Sequence, residues 1–169
     1  MRSALRVLGM VAVTQLLIAG AASAASGPLG GACKEITNAQ AKRILGSAVK
    51  SSSGADRYGG RSLCSLSLGT SHLSITSEPA KLFNTIVASK RSDPSYARGF
   101  AAVSLGDAGY RWDEWDLGSA GRKVFNAHVV LFRVGNRMFT VSDEKRNSRF
   151  PAAARLAVAK VVAQNARAR

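Results

Sequence analysis

Apolar positions along the chain recur with two periods, and the switches between them mark out the elements. Thr37-Asn38-Ala39-Gln40 fits a capping box, in which the Thr37 hydroxyl accepts from the N3 amide and the Gln40 side chain accepts from the Thr37 amide. Ile36 and Ala41 flank it as a hydrophobic staple. A helix therefore starts here; Ala41, Ile44 and Leu45 keep its spacing, and Gly46 stops it. Ser51-Ser52-Ser53-Gly54 and Gly59-Gly60 read as loop or hairpin punctuation. From Ser62 to Leu68 the period becomes two, with Cys64, Leu66 and Leu68 on one face. A Gly69-Thr70-Ser71 turn then leads into a partner strand, His72 to Thr76.

Ser77-Glu78-Pro79 is expected to open a second helix, with Leu82, Phe83, Ile86 and Val87 as its apolar face, and Ser92 to Gly99 is loop-like. Lys123 to Val134 is a long run rich in Val and Phe. Gly135-Asn136 is a turn signal, and Arg137 to Ser142 returns as a strand. Ser148 to Ala168, with Pro151 in its first turn and Leu156, Val158, Val161 and Val162 inside, closes the chain as a helix. There is no fixed-period repeat. The order of elements predicts an α+β domain, an antiparallel sheet with helices packed on one face.

The segment before this pattern is of another kind. Arg2 and Arg6 precede an apolar stretch from Val7 to Gly20, followed by Ala21-Ala22-Ser23-Ala24, the three-part plan of a secretory signal peptide with an A-x-A cleavage site. About 14 apolar residues fall short of the roughly 20 that span a bilayer. Cleavage after Ala24 would leave a single exported domain, residues 25–169, secreted or periplasmic. Leu29-Gly30-Gly31-Ala32-Cys33 loosely resembles the approach to a lipidated cysteine, an alternative that would leave Cys64 a lone thiol. Gly30 stands where such sites carry an aliphatic residue, and the apolar core ends about a dozen residues too early. In an oxidising compartment two cysteines usually pair, so Cys33 and Cys64 are expected to form one disulfide worth roughly 3–4 kcal/mol.

Composition narrows the chemistry. With 169 residues there is room for one domain; Lys+Arg 24 against Asp+Glu 10 gives a net charge of +14, and residues 122–169 alone hold 11 basic and 2 acidic side chains. Such a field attracts anions: an anionic envelope polymer, anionic lipid, extracellular nucleic acid or an acidic protein. Export argues against cytoplasmic nucleic acid. Arg133, Arg137, Arg155 and Lys160 are the candidate contacts on the final hairpin and helix. Asp113-Glu114-Trp115-Asp116, beside Tyr110 and Trp112, is the densest acidic cluster. Paired carboxylates beside aromatics are what a glycosidase needs. They are equally what a loop between strands shows when it pairs with arginines, and Tyr110, Trp112 and Trp115 offer a stacking surface for a ligand. Gly118-Ser119-Ala120-Gly121 lacks the spacing of a nucleophile elbow. His72 and His128, with Asp107 or Asp113, have no recognised metal spacing, so neither metal nor cofactor is expected.

Cys33-Lys34-Glu35-Ile36-Thr37, with Ile44-Leu45-Gly46 and Ser62-Leu63-Cys64, resembles the opening of small exported actinobacterial proteins and lipoproteins of the Lpq type. Leu105-Gly106-Asp107-Ala108-Gly109-Tyr110 is similar to their Leu-Gly-Asp-x-Ala-Tyr segment, and Val129 to Val141 to their terminal hairpin. Extracellular sensor domains of some bacterial receptor kinases are related in style. The resemblance implies a PsbP-like fold, a Cys33–Cys64 pair and a cleft suited to ligands, and brings no catalytic residues. The sequence thus points to a non-enzymatic exported binding module of the envelope or exterior. The alternatives are a small cell-wall carbohydrate hydrolase working through Asp113, Glu114 or Asp116, and an inhibitor or immunity-type protein that blocks an acidic enzyme.

Overall fold

The computed structural model describes residues 31–55, 61–118, 121–143 and 150–169. The segment expected to be a leader, residues 2–24, its expected cleavage site, Gly59-Gly60, Ser119 and the expected helix start at Ser148 lie outside them. Seven strands form one antiparallel sheet: β1 (Lys50–Ala55), β2 (Ser62–Leu68), β3 (Ser71–Pro79), β4 (Ala97–Ala102), β5 (Ala108–Leu117), β6 (Lys123–Val134) and β7 (Arg137–Asp143). Their spatial order is β1-β2-β3-β7-β6-β5-β4. Two meanders, β1 to β3 and β4 to β7, thus meet where β7 pairs with β3, and α2 (Phe83–Ser92) carries the chain from the middle of the sheet to its far edge. The expected α+β class, its antiparallel sheet and the Cys33–Cys64 disulfide are all present, but the helices, expected on one face, cover both, because α2 crosses the sheet on the side opposite the other two helices.

Helix α1 (Asn38–Leu45) begins at the expected capping box, and Ile36 and Ala41 of the staple are both buried. Together with α3 (Ala152–Arg167) and a 3-10 turn over Gly31–Glu35, it covers one face of the sheet. There Val158 and Val162 of α3 pack with Leu66, Ile75, Phe132, Phe139 and Val141, and the rings of Phe132 and Phe139 stack at 5.3 Å. The other face is covered by α2, whose Phe83 and Val87 pack with Trp112, Val129, Leu131 and Met138. Strand β6 feeds both cores alternately. That is why it reads as a near-continuous apolar run instead of an alternating one.

Four strands differ from the expected pattern. β1 is a polar edge strand, Lys-Ser-Ser-Ser-Gly-Ala, without apolar alternation. β4 is the opposite edge, interrupted between Arg98 and Ala101 by a bulge in which Gly99 has φ +66°. β5 takes in the acidic cluster Asp113 to Asp116, which lies within a strand and not in a loop. Ser77 to Pro79, expected to open a helix, instead extend β3, because they pair with Arg137 to Phe139 on the incoming β7. Pro79 is tolerated at the strand end.

Candidate functional site

Strand alternation sorts the residues of β5. Arg111, Asp113 and Trp115 point to the face that carries α3; Tyr110, Trp112, Glu114 and Asp116 point to the face that carries α2. Helix α3 packs chiefly on β6 and β7, so the α3-side face of β4 and β5 stays uncovered beside it. A cleft of about 540 Å³ results, within the usual size range of small-molecule sites. Arg98, Arg111, Asp113 and His128 contribute its polar wall, Val130 and Leu156 its apolar surface, and Ala152 and Ala153 of the first turn of α3 its remaining side.

Register fixes these side chains. Asp113 lies opposite Arg98 on β4 and opposite His128 on β6, and its Oδ1 is 2.6 Å from His128 Nδ1. The Arg98 guanidinium sits 4.2 Å over the Trp115 ring; Trp115 meets Phe125 edge-on, and Phe125 lies 4.6 Å from the His128 ring. An aromatic row thus supports a cation at one end and an imidazole at the other, without neutralising either. Neither Arg98 nor Arg111 has a carboxylate partner among the described residues. Pro151 caps α3 without a side-chain hydrogen bond, so the positive end of that helix is not offset by an acidic cap and adds to the arginines' field.

The residues singled out from the sequence scatter across this frame. Arg155 borders the cleft, and Trp115 lies beside it under the Arg98 guanidinium. Trp112 has its side chain on the opposite face, 5% exposed, with Nε1 donating to Glu114, which Lys90 of α2 also engages. Tyr110 stacks on Phe100 at 5.2 Å on that same face, beneath Arg91. The two Trp and the Tyr therefore do not make one contact surface. Arg155 is not a surface charge: it is buried, with Nη1 3.0 Å from Asp143 Oδ2 and 2.7 Å from the Phe150 carbonyl. Arg137 is held by the buried Glu35 carboxylate at 2.7 Å and donates to Ser77 Oγ. The Arg133 guanidinium lies 5.6 Å over Phe83 on the α2 side. Lys160 alone of the four is exposed on α3. The acidic cluster is divided between faces as well: Asp113 is engaged by His128, Glu114 by Trp112 and Lys90, and Asp116 by Asn126.

Arg98 and Arg111 do not figure among the residues picked out from the sequence. The available signal was the odd-position run Arg111, Asp113, Trp115, which alternates with Trp112 and Glu114 as a strand does. Among the described residues no group of three or more His, Cys, Asp or Glu side chains is placed to hold a metal ion, and no helix is long and apolar enough to cross a membrane. Comparison with protein-family models, curated proteins and solved structures finds no match to this chain.

Proposed function

We propose that this protein is a non-catalytic binding module, exported to the cell envelope or exterior, that holds an anionic ligand in the cleft between α3 and strands β4 to β6. The observation that carries the reading is the pair Arg98 and Arg111, two guanidinium groups without carboxylate partners among the described residues, at a cleft whose described carboxylate, Asp113, is engaged by His128. A disulfide and the leader-like pattern of residues 2–24 support export. The likeness to Lpq-type exported proteins supports the same address. The test is retention of the protein on a soluble acidic polymer over a salt series, with Arg98→Glu, Arg111→Glu and the control Lys160→Glu. The expected result is binding that falls steeply as the Debye length shrinks below about 10 Å, is lost in the first two variants and persists in the third. Equal loss in all three would assign binding to diffuse surface charge and refute the cleft.

A further inference from the structure

Resting on that reading, we propose that the cleft's ligand is a phosphate monoester, gripped by Arg98, Arg111 and Nε2 of His128, and that its binding places a proton on His128. The class follows from the number and kind of donors. A monoester presents three terminal oxygens, all strong acceptors, and charge-assisted bonds from three cationic groups match them. A diester offers two such oxygens. A carboxylate offers two in one plane, which a single guanidinium fork satisfies.

The proton follows from the geometry of the dyad. His128 Nδ1 lies 2.6 Å from the Asp113 carboxylate, so this nitrogen carries the hydrogen and donates it. In the neutral ring Nε2 then holds a lone pair, which repels a phosphoryl oxygen. Only the imidazolium presents N–H on both sides, to Asp113 on one and to the ligand on the other.

Among the described residues the charges around the ring are Arg98 from β4, Arg111 and Asp113 from β5, Asp143 as its register partner on β7, and Arg155 from α3. On β6 itself its neighbour is the uncharged Phe125 ring. Arg155 and Asp143 offset each other at 3.0 Å, and Asp113 faces the imidazole. Two guanidinium charges remain uncompensated. A bound dianion sets negative charge against these guanidinium groups and against Nε2, whose proton is what lets it donate to the ligand, so ligand and proton enter together.

Titration calorimetry of the full chain tests this, using glycerol phosphate, dimethyl phosphate and acetate in buffers of different ionisation heat. At about pH 7.5 the monoester, with its second ionisation near 6, is mostly dianionic, so proton uptake reports on the protein. Glycerol phosphate is expected to bind about tenfold or more tighter than the other two, with net proton uptake. His128→Gln should abolish the uptake and weaken the monoester about tenfold while leaving dimethyl phosphate unchanged. Arg98→Ala and Arg111→Ala should each lose about tenfold with unaltered circular dichroism. Retention on phosphatidate vesicles would support a lipid as the source of the monoester, and binding of soluble glycerol phosphate alone a free or polymer-borne one. Equal affinity for all three anions, or binding with no proton uptake, overturns this inference and leaves an unselective anion cleft. Absence of saturable binding by any anion removes the proposed function as well.

Discussion

Replacing Arg155 by alanine should unfold this protein far more readily than its place on a basic helix suggests. The side chain is 10% exposed and its partner Asp143 1%. Asp143 Oδ2 accepts from Arg155, and Oδ1 has no partner among the described residues. Removing the guanidinium therefore strands a carboxylate inside the protein with neither oxygen satisfied and withdraws a 2.7 Å donor from the Phe150 carbonyl. Breaking one side of a buried ion pair costs about 3–5 kcal/mol. At roughly 2–4 °C per kcal/mol for a chain of this size, the midpoint of thermal unfolding should drop by about 6–20 °C. Lys160→Ala on the same helix is the control and should change stability by less than about 0.5 kcal/mol. The double variant Arg155→Met, Asp143→Leu should regain most of the loss, because no buried charge then remains. The assay is urea unfolding followed by circular dichroism at constant ionic strength. A cost for Arg155→Ala under about 1 kcal/mol, comparable to a solvated surface pair, would refute the reasoning.

Two further outcomes follow from the backbone. Cys33→Ala with Cys64→Ala should cost about 3–4 kcal/mol in urea unfolding, since the bridge closes a loop of 31 residues' separation; alkylation of two thiols in unreduced wild-type protein would contradict it. Gly106→Ala should cost more than about 3 kcal/mol, because a Cβ there would lie 2.0 Å from the Arg133 carbonyl oxygen at φ +57°. Gly135→Ala, at φ +58° in open space, should cost only about 1–2 kcal/mol, and equal costs for the two would show that the Arg133 contact is not what requires glycine at position 106.

What the sequence determined by itself is local. The capping box at Thr37, the boundaries of β2, the β6–β7 hairpin around Gly135-Asn136 and the body of α3 were all legible, because each rests on a few neighbouring residues whose backbone preferences and hydrophobic period agree. The two edge strands were not. β1 is polar and β4 is small-residued and bulged, and each is held by a partner on one side alone, so neither needs an apolar alternation to form. The Leu105-to-Tyr110 segment showed its residue pattern but not its purpose. In the structure Gly106 admits the Arg133 carbonyl, and Asp107 accepts from the Gly135 amide at 2.7 Å, so the segment fastens β5 to the β6–β7 turn. Tertiary structure decided what the described arginines do. Arg155 and Arg98 are the same side chain in the same basic composition, yet one meets a buried carboxylate brought from β7 and the other an indole and an open cleft. Which of them closes a buried ion pair and which stays without a carboxylate partner at a cleft depends on strand order and register, contacts between residues far apart in the chain that no local pattern encodes.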